Sequence, residues 1–158
     1  VLGVNPDAVG YRLPTEAEWD FVAAISADGK PLEFPWGPSF PPPPRSGNFA
    51  DQSAGGVVPQ IIAGYDDGVG TSAPVGSYAP NTRGLQDLAG NVAEWLHDFG
   101  SPSAAGGLDP LGPASGTSHL VRGGSWASGA RERLRSLARE ASVEARPDLG
   151  FRIARYAQ

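Results

Sequence analysis

The stretch GLQDLAGNVAEW, residues 84–95, sets Asp87, Asn91 and Glu94 close together in a segment whose glycines at 84 and 90 let the backbone turn sharply. Two carboxylates and an amide, with free carbonyls between them, are hard oxygen donors. A turn that makes them converge on one point suits a cation such as Ca2+, which takes six to eight oxygens. The same residue types also serve as Asx turns that bond their own backbone, so the spacing alone leaves both readings open.

A second oxygen-rich pair of turns lies upstream. SGNFAD (46–51) supplies Asn48, and YDDGVG (65–70) supplies Asp66 and Asp67. The clearest helix start is earlier still, in LPTEAEWDFVAAIS, where Thr15 and Glu18 form an S/T-x-x-E capping box. The pattern predicts a helix over 16–26 with Trp19, Val22, Ala23 and Ser26 on one face, ended near Asp28–Gly29. Prolines forbid helix in FPWGPSFPPPPRSG and favour an extended path over 38–44, most simply a surface loop. Turn clusters dominate residues 47–91, and GSPSAAGGLDPLGPASGTS (100–118) reads as one long loop. HLVRGG (119–124) reads as a strand halted by the glycine pair, and LGFRIARY (149–156) as a half-buried closing strand with Phe151 and Ile153 opposed to Arg152 and Arg155.

With 158 residues, 40% of them hydrophobic and four Trp, the chain is long enough for one folded domain, and no linker or repeat divides it. Its 22 Gly and 16 Pro point to loops rather than regular structure. Cysteine is absent, which excludes disulfides, thiolate metal sites and a cysteine nucleophile. No apolar run approaches the roughly 18 residues of a membrane helix, and a soluble chain is expected. Residues 1–121 carry a balance of −9 and residues 122–158 a balance of +4, within a net charge of −5. An acidic body that can pair with a basic terminal segment gives no broad basic face, so no nucleic-acid partner is expected.

That basic segment contains LVRGGSWASGARERLRSLARE (120–140), with arginines at 131, 133, 135 and 139. They suit an anion site or ion pairs with the acidic body, Arg135 and Arg139 being the best placed for pairing. Ser125 and Ser128 lie among glycines, but GGSWASG is not a G-x-S-x-G elbow. His97, Asp98 and His119 are the barest transition-metal set, and no spacing joins them.

Taken in order, RLPTEAEW, FPWG, GN, DDGVGTSAPVGSYAPNTRGLQDLAGNVAEW, LVRGGSW and LGFRIAR resemble the formylglycine-generating enzyme family, also called the sulfatase-modifying-factor domain. The resemblance implies an α+β architecture: a C-type-lectin-like fold with little regular secondary structure, long loops and one clear N-terminal helix, forming a single domain over residues 1–158. It implies calcium at one or two sites. Asn48, Phe49, Asp67 and Val69 resemble one ligand set, with Phe49 and Val69 acting through their carbonyls; Asp87, Gly90, Asn91 and Glu94 resemble the other.

It does not imply the family's oxidation chemistry here. Relatives that make formylglycine hold copper with two cysteines after the GGS and aromatic step, and this chain places Ser128 and Arg133 near those positions. No copper is expected, no catalytic residue is assigned, and Ser128, Arg131 and Arg133 become candidates for a recognition surface. A further departure is Ala93, where relatives commonly carry Trp. Relatives also have an extra portion before RLPTEAEW, so the domain is expected to be incomplete at its N-terminus, with a protein partner or a separately supplied N-terminal segment completing it. The resulting expectation is a non-catalytic, calcium-stabilised binding or structural module. The alternative is an oxidoreductase of a cousin branch, related to iron-dependent sulfoxide synthases or siderophore-maturation enzymes, that completes its site from a missing segment or partner chain.

Overall fold

Thr15 starts the helix as the capping box requires: its hydroxyl accepts the Glu18 N–H at 3.2 Å while the Glu18 carboxylate accepts the Thr15 N–H at 2.9 Å. Arg12 clamps the same carboxylate with two bonds of 2.6 Å and holds its pKa below the usual range. The computed structural model describes residues 10–101, 106–108 and 110–156, so Pro102–Ala105 and Asp109 of the expected long loop lie outside the described residues. Helix α1 spans Glu16–Ala23, ending before the expected Ser26. There the chain turns back, Leu32 N–H bonding to Ala24 C=O, and the Ser26 hydroxyl bonds to Asp28 and to the Lys30 carbonyl instead of extending the helix.

The sheet comprises β1 (Ala93–Phe99), β2 (His119–Arg122), β3 (Glu140–Ser142) and β4 (Leu149–Phe151), in the order β3-β2-β1-β4. β1 runs antiparallel to β2 and parallel to β4, and β2 runs antiparallel to β3. Alternate residues of a strand share a face, and in β1 Glu94, Leu96 and Asp98 are buried on one face, with Ala93 at the strand start buried as well. This face meets α1. Trp19 and Ala23 pack with Leu88, Leu96 and Leu120, while Trp19 Nε1 donates to Glu94 at 2.9 Å and the Glu16 N–H donates to Asp98 at 2.8 Å. A second core lies among the loops, where Phe34, Phe49, Ile62, Tyr65, Ala89 and Leu134 cluster. One helix, a four-stranded mixed sheet and long loops make the fold α+β, as expected.

The proline run is a mostly exposed loop, as expected, with a cis Phe40–Pro41 bond. The arginine-rich stretch contains a short 3₁₀ turn at Arg131–Leu134. In the closing segment the expected alternation is inverted, with Phe151 67% and Ile153 57% exposed while Arg152 turns inward. The reason is electrostatic. Glu94 is 4% exposed and needs a cation, and Arg152 supplies one.

Candidate functional site

The turn at 87–91 is stitched to two other loops. The Asn91 N–H donates to Asn48 C=O at 2.7 Å, the Gly90 N–H to Gly123 C=O at 3.0 Å, and the Trp126 N–H to Asn91 C=O at 2.9 Å. Asp87 and Asn91 take φ of 55° and 59°, the left-handed conformation that Asp and Asn tolerate best. The two oxygen-rich loops and the GGSW stretch therefore form one continuous unit.

The first ligand set is brought together. Asp67 accepts the Phe49 N–H at 2.9 Å with one carboxylate oxygen and the Val69 N–H at 2.9 Å with the other. Asn48 is fully buried and its Oδ1 has no hydrogen-bond partner, although its Nδ2 donates to Thr71 C=O. Asp51, also fully buried, accepts the Asp67 N–H and both donors of Ser53. The sequence offered a signal for Asp51, an Asp-x-Ser turn closing SGNFAD, but not its place in this site. Asp66 caps its own turn through the Gly68 N–H and remains a turn residue.

Two carboxylates here repel each other, and the Asp67 carboxyl is pushed up to about 6, chiefly by burial, with the Asp51 charge adding to it. A native pKa above the unfolded value of about 3.9 means that the folded chain holds the proton longer. The contribution is favourable at low pH and is lost as pH rises through about 6. Carbon-13 NMR titration of the metal-free chain is expected to place Asp67 near 6, and a value in the ordinary Asp range would refute this arrangement.

The second set is arranged differently. Arg152 donates Nε to Glu94 Oε2 at 2.6 Å and Nη2 to Glu94 Oε1 at 2.5 Å, and its Nη2 also reaches the carbonyls of Gln86 and Asp87. A guanidinium from the chain itself thus faces the oxygens of this loop. Asp87 Oδ2 accepts the Gly76 N–H, while its Oδ1 is buried without a partner. Asn91 is occupied as a brace, its side chain bonding both the N–H and the C=O of Ala73. Among the described residues no group of three or more His, Cys, Asp or Glu side chains is gathered for a metal. His119 stacks beside Phe99 and Trp95 with its Nδ1 near the Leu96 and His97 carbonyls.

Downstream of the glycine pair, a cavity of about 100 Å³ is lined by Gly123, Gly124, Ser128, Arg122, Arg133, Arg139 and Glu140, among others. Ser128 is 4% exposed, and its Oγ accepts the Ser125 N–H at 3.1 Å. Arg133 is exposed on the rim. Arg131 is engaged elsewhere, by Glu33 at 2.7 Å. Copper would find no donor set here: serine oxygen is hard and weakly basic, and an arginine guanidinium does not lose its proton.

A family model, the sulfatase-modifying factor enzyme 1-like domain, matches residues 2–157. The chain belongs to that family. It is similar to the formylglycine-generating enzyme of Streptomyces coelicolor, at 36% identity over 152 residues, covering 92% of this chain and 46% of the relative. It is also similar to the inactive C-alpha-formylglycine-generating enzyme 2 of Mus musculus, at 34% identity, covering 92% of this chain and 43% of the relative. Among solved structures it resembles Treponema denticola variable protein 1, with a TM-score of 0.73 and 29% identity over 95% of this chain and 49% of that one. This sulfatase-modifying-factor domain thus spans about half the length of the curated relatives it matches. Among its described residues, no helix is long and apolar enough to cross a membrane.

Proposed function

We propose that this chain is a non-catalytic, calcium-braced binding module of the sulfatase-modifying-factor family, and that its recognition surface lies at the Ser128–Arg133 cavity and the loops around it. The observation that carries the reading is the donor set: Ser128 and Arg133 stand near the positions where the resemblance puts copper-binding cysteines, and the chain has no Cys. A relative of comparable similarity that is named inactive supports it. Calcium fits the first loop pair best. The orphaned Asn48 Oδ1 and the paired charges of Asp51 and Asp67 want a hard cation, whereas Glu94 already holds Arg152. Asn48 and Asp67 would hold the ion together with the Phe49 and Val69 carbonyls, water supplying the remaining oxygens. The ion would supply positive charge that ties two loops together and performs no chemistry.

Two measurements test the reading. Metal analysis of the purified chain is expected to find calcium and neither iron nor copper. Incubation with a cysteine-containing sulfatase peptide, copper(I) and oxygen is expected to leave the peptide unchanged by mass spectrometry. Aldehyde formation, or stoichiometric iron or copper, would overturn the proposal.

A further inference from the structure

The cavity beside the glycine pair is lined by charged groups of both signs. Three of its lining residues are arginines, but they differ in their bonding. Arg122 is tied to Glu16 and Asp20, and Arg139 to Glu16. The one lining carboxylate, Glu140, is held by Arg146, which also bonds Asp148. Arg133 differs: among the described residues its side chain makes no ion pair and no hydrogen bond. It is exposed and lines the cavity.

The inner wall carries the Ser128 hydroxyl, whose bonding Ser125 sets. The Ser125 hydroxyl gives its proton to Asp148 at 2.8 Å, and the Ser125 N–H occupies a lone pair of Ser128 Oγ. With the Ser125 proton on Asp148, Ser128 is the donor in the Ser125–Ser128 hydroxyl contact, which at 3.4 Å is long enough to be exchanged for an acceptor placed in the cavity. Arg122, also on the wall, has its Nε buried with no acceptor, while Glu16 and Asp20 hold its other nitrogens. Gly124 keeps the space open: its φ is +65°, and a Cβ there would stand 2.8 Å from Leu134 Cδ2 and 3.4 Å from Ser128 Oγ. At about 100 Å³ the cavity is well below the roughly 300–1,000 Å³ of a drug-sized site and suits a group of a few heavy atoms.

We propose that this cavity binds a small oxyanion, with the Arg133 guanidinium taking two of its oxygens and the Ser128 hydroxyl donating to one of them. The inference rests on the binding-module reading and names the chemistry recognised. A planar guanidinium fork matches a carboxylate or phosphate edge, and one hydroxyl donor fixes its orientation. The oxyanion arrives either free in solution or as the carboxylate of a bound chain.

Calorimetric titration of the calcium-loaded chain separates these sources. The probes are inorganic phosphate, acetate, and a short peptide compared with its C-terminally amidated form. Binding of any oxyanion probe is expected, weakened about tenfold or more in Arg133→Met and unaltered in Arg131→Met, whose arginine Glu33 already holds. Tighter binding of the peptide than of its amide or of acetate assigns the site to a chain-borne carboxylate; tighter binding of phosphate assigns it to a free anion. No measurable heat with any probe, or equal affinity in wild type and Arg133→Met, would overturn the proposal. Arg133 is exposed, so loss of fold does not confound the comparison. A chain that makes formylglycine yet binds oxyanions through Arg133 would refute the non-catalytic reading alone. An inactive chain indifferent to Arg133 would refute this inference alone.

Discussion

Arg122→Ala is expected to destabilise the domain by about 3–5 kcal/mol, the range for removing one partner from a buried ion pair. Arg122 is 2% exposed and bonds Glu16 Oε1 at 2.6 Å, Asp20, and the Ser136 carbonyl at 2.7 Å, with its guanidinium 4.9 Å from the Trp19 ring centre. Without it, two carboxylates of α1 face the sheet with Arg139 as the cation remaining on Glu16. Burial already pulls the Arg122 pKa down and the Asp20 pKa up, so the network sits near the limit of what its geometry supports. In the variant Asp20 loses the cation that opposes its burial, so its carboxyl, already above the usual range, rises further. Its native pKa then exceeds the unfolded one by more, so its contribution is favourable at low pH and is lost as pH rises. Urea denaturation at pH 4 and pH 7 checks this: the loss relative to wild type should be larger at pH 7. The triple variant Glu16→Gln, Asp20→Asn, Arg122→Met is expected to recover part of the loss, since the uncompensated charges have gone. A single variant within about 1 kcal/mol of wild type would show that water reaches this network.

The division between what the sequence discloses and what it conceals follows contact distance along the chain. Thr15 and Glu18 are three residues apart, so the capping box announced α1. The two loop clusters could be picked out because Asn, Asp and Gly at turn spacing restrict the backbone locally, and in the structure Phe49 and Val69 donate their N–H groups to Asp67. A remote partner leaves no mark on the local pattern: Arg152 finds Glu94 across 58 positions and Arg122 finds Glu16 across 106. Local alternation assigned Arg152 to solvent and Phe151 to the core. The buried charge of Glu94, which no periodicity reports, decided otherwise. Arg139 was read as a partner of the acidic body and does pair with Glu16; Arg135 reaches Glu33 only at 3.6 Å. Asp51 was missed because its role depends on the Asp67 N–H, 16 positions away.

Gly90→Ala is expected to be the most damaging single-methyl substitution in the candidate site, exceeding the roughly 4–5 kcal/mol that marks exceptional point changes. An added Cβ would lie 2.1 Å from the Asn48 carbonyl oxygen and 2.7 Å from two carbons of the Phe49 ring, at a φ of +73°. Neither neighbour has room to yield. The Asn48 carbonyl accepts the Asn91 N–H, and Phe49 is fully buried among Tyr65, Ala89 and Leu134. Gly84→Ala provides the control, because Gly84 has a φ of +79° with nothing within 4 Å of its Cβ position. Its expected loss is the left-handed backbone term alone, about 1–2 kcal/mol. Equilibrium denaturation of the pair separates conformational strain from collision; equal losses would mean that the 87–91 turn does not lie against Asn48. Calcium gives the comparison its functional edge. If calcium braces the loops as proposed, added calcium should raise the denaturation midpoints of wild type and Gly84→Ala alike, since Asn48, Asp51 and Asp67 stay in place in both. It should fail to do so for Gly90→Ala, whose methyl displaces the backbone of Asn48 and with it the buried Oδ1 that wants a cation.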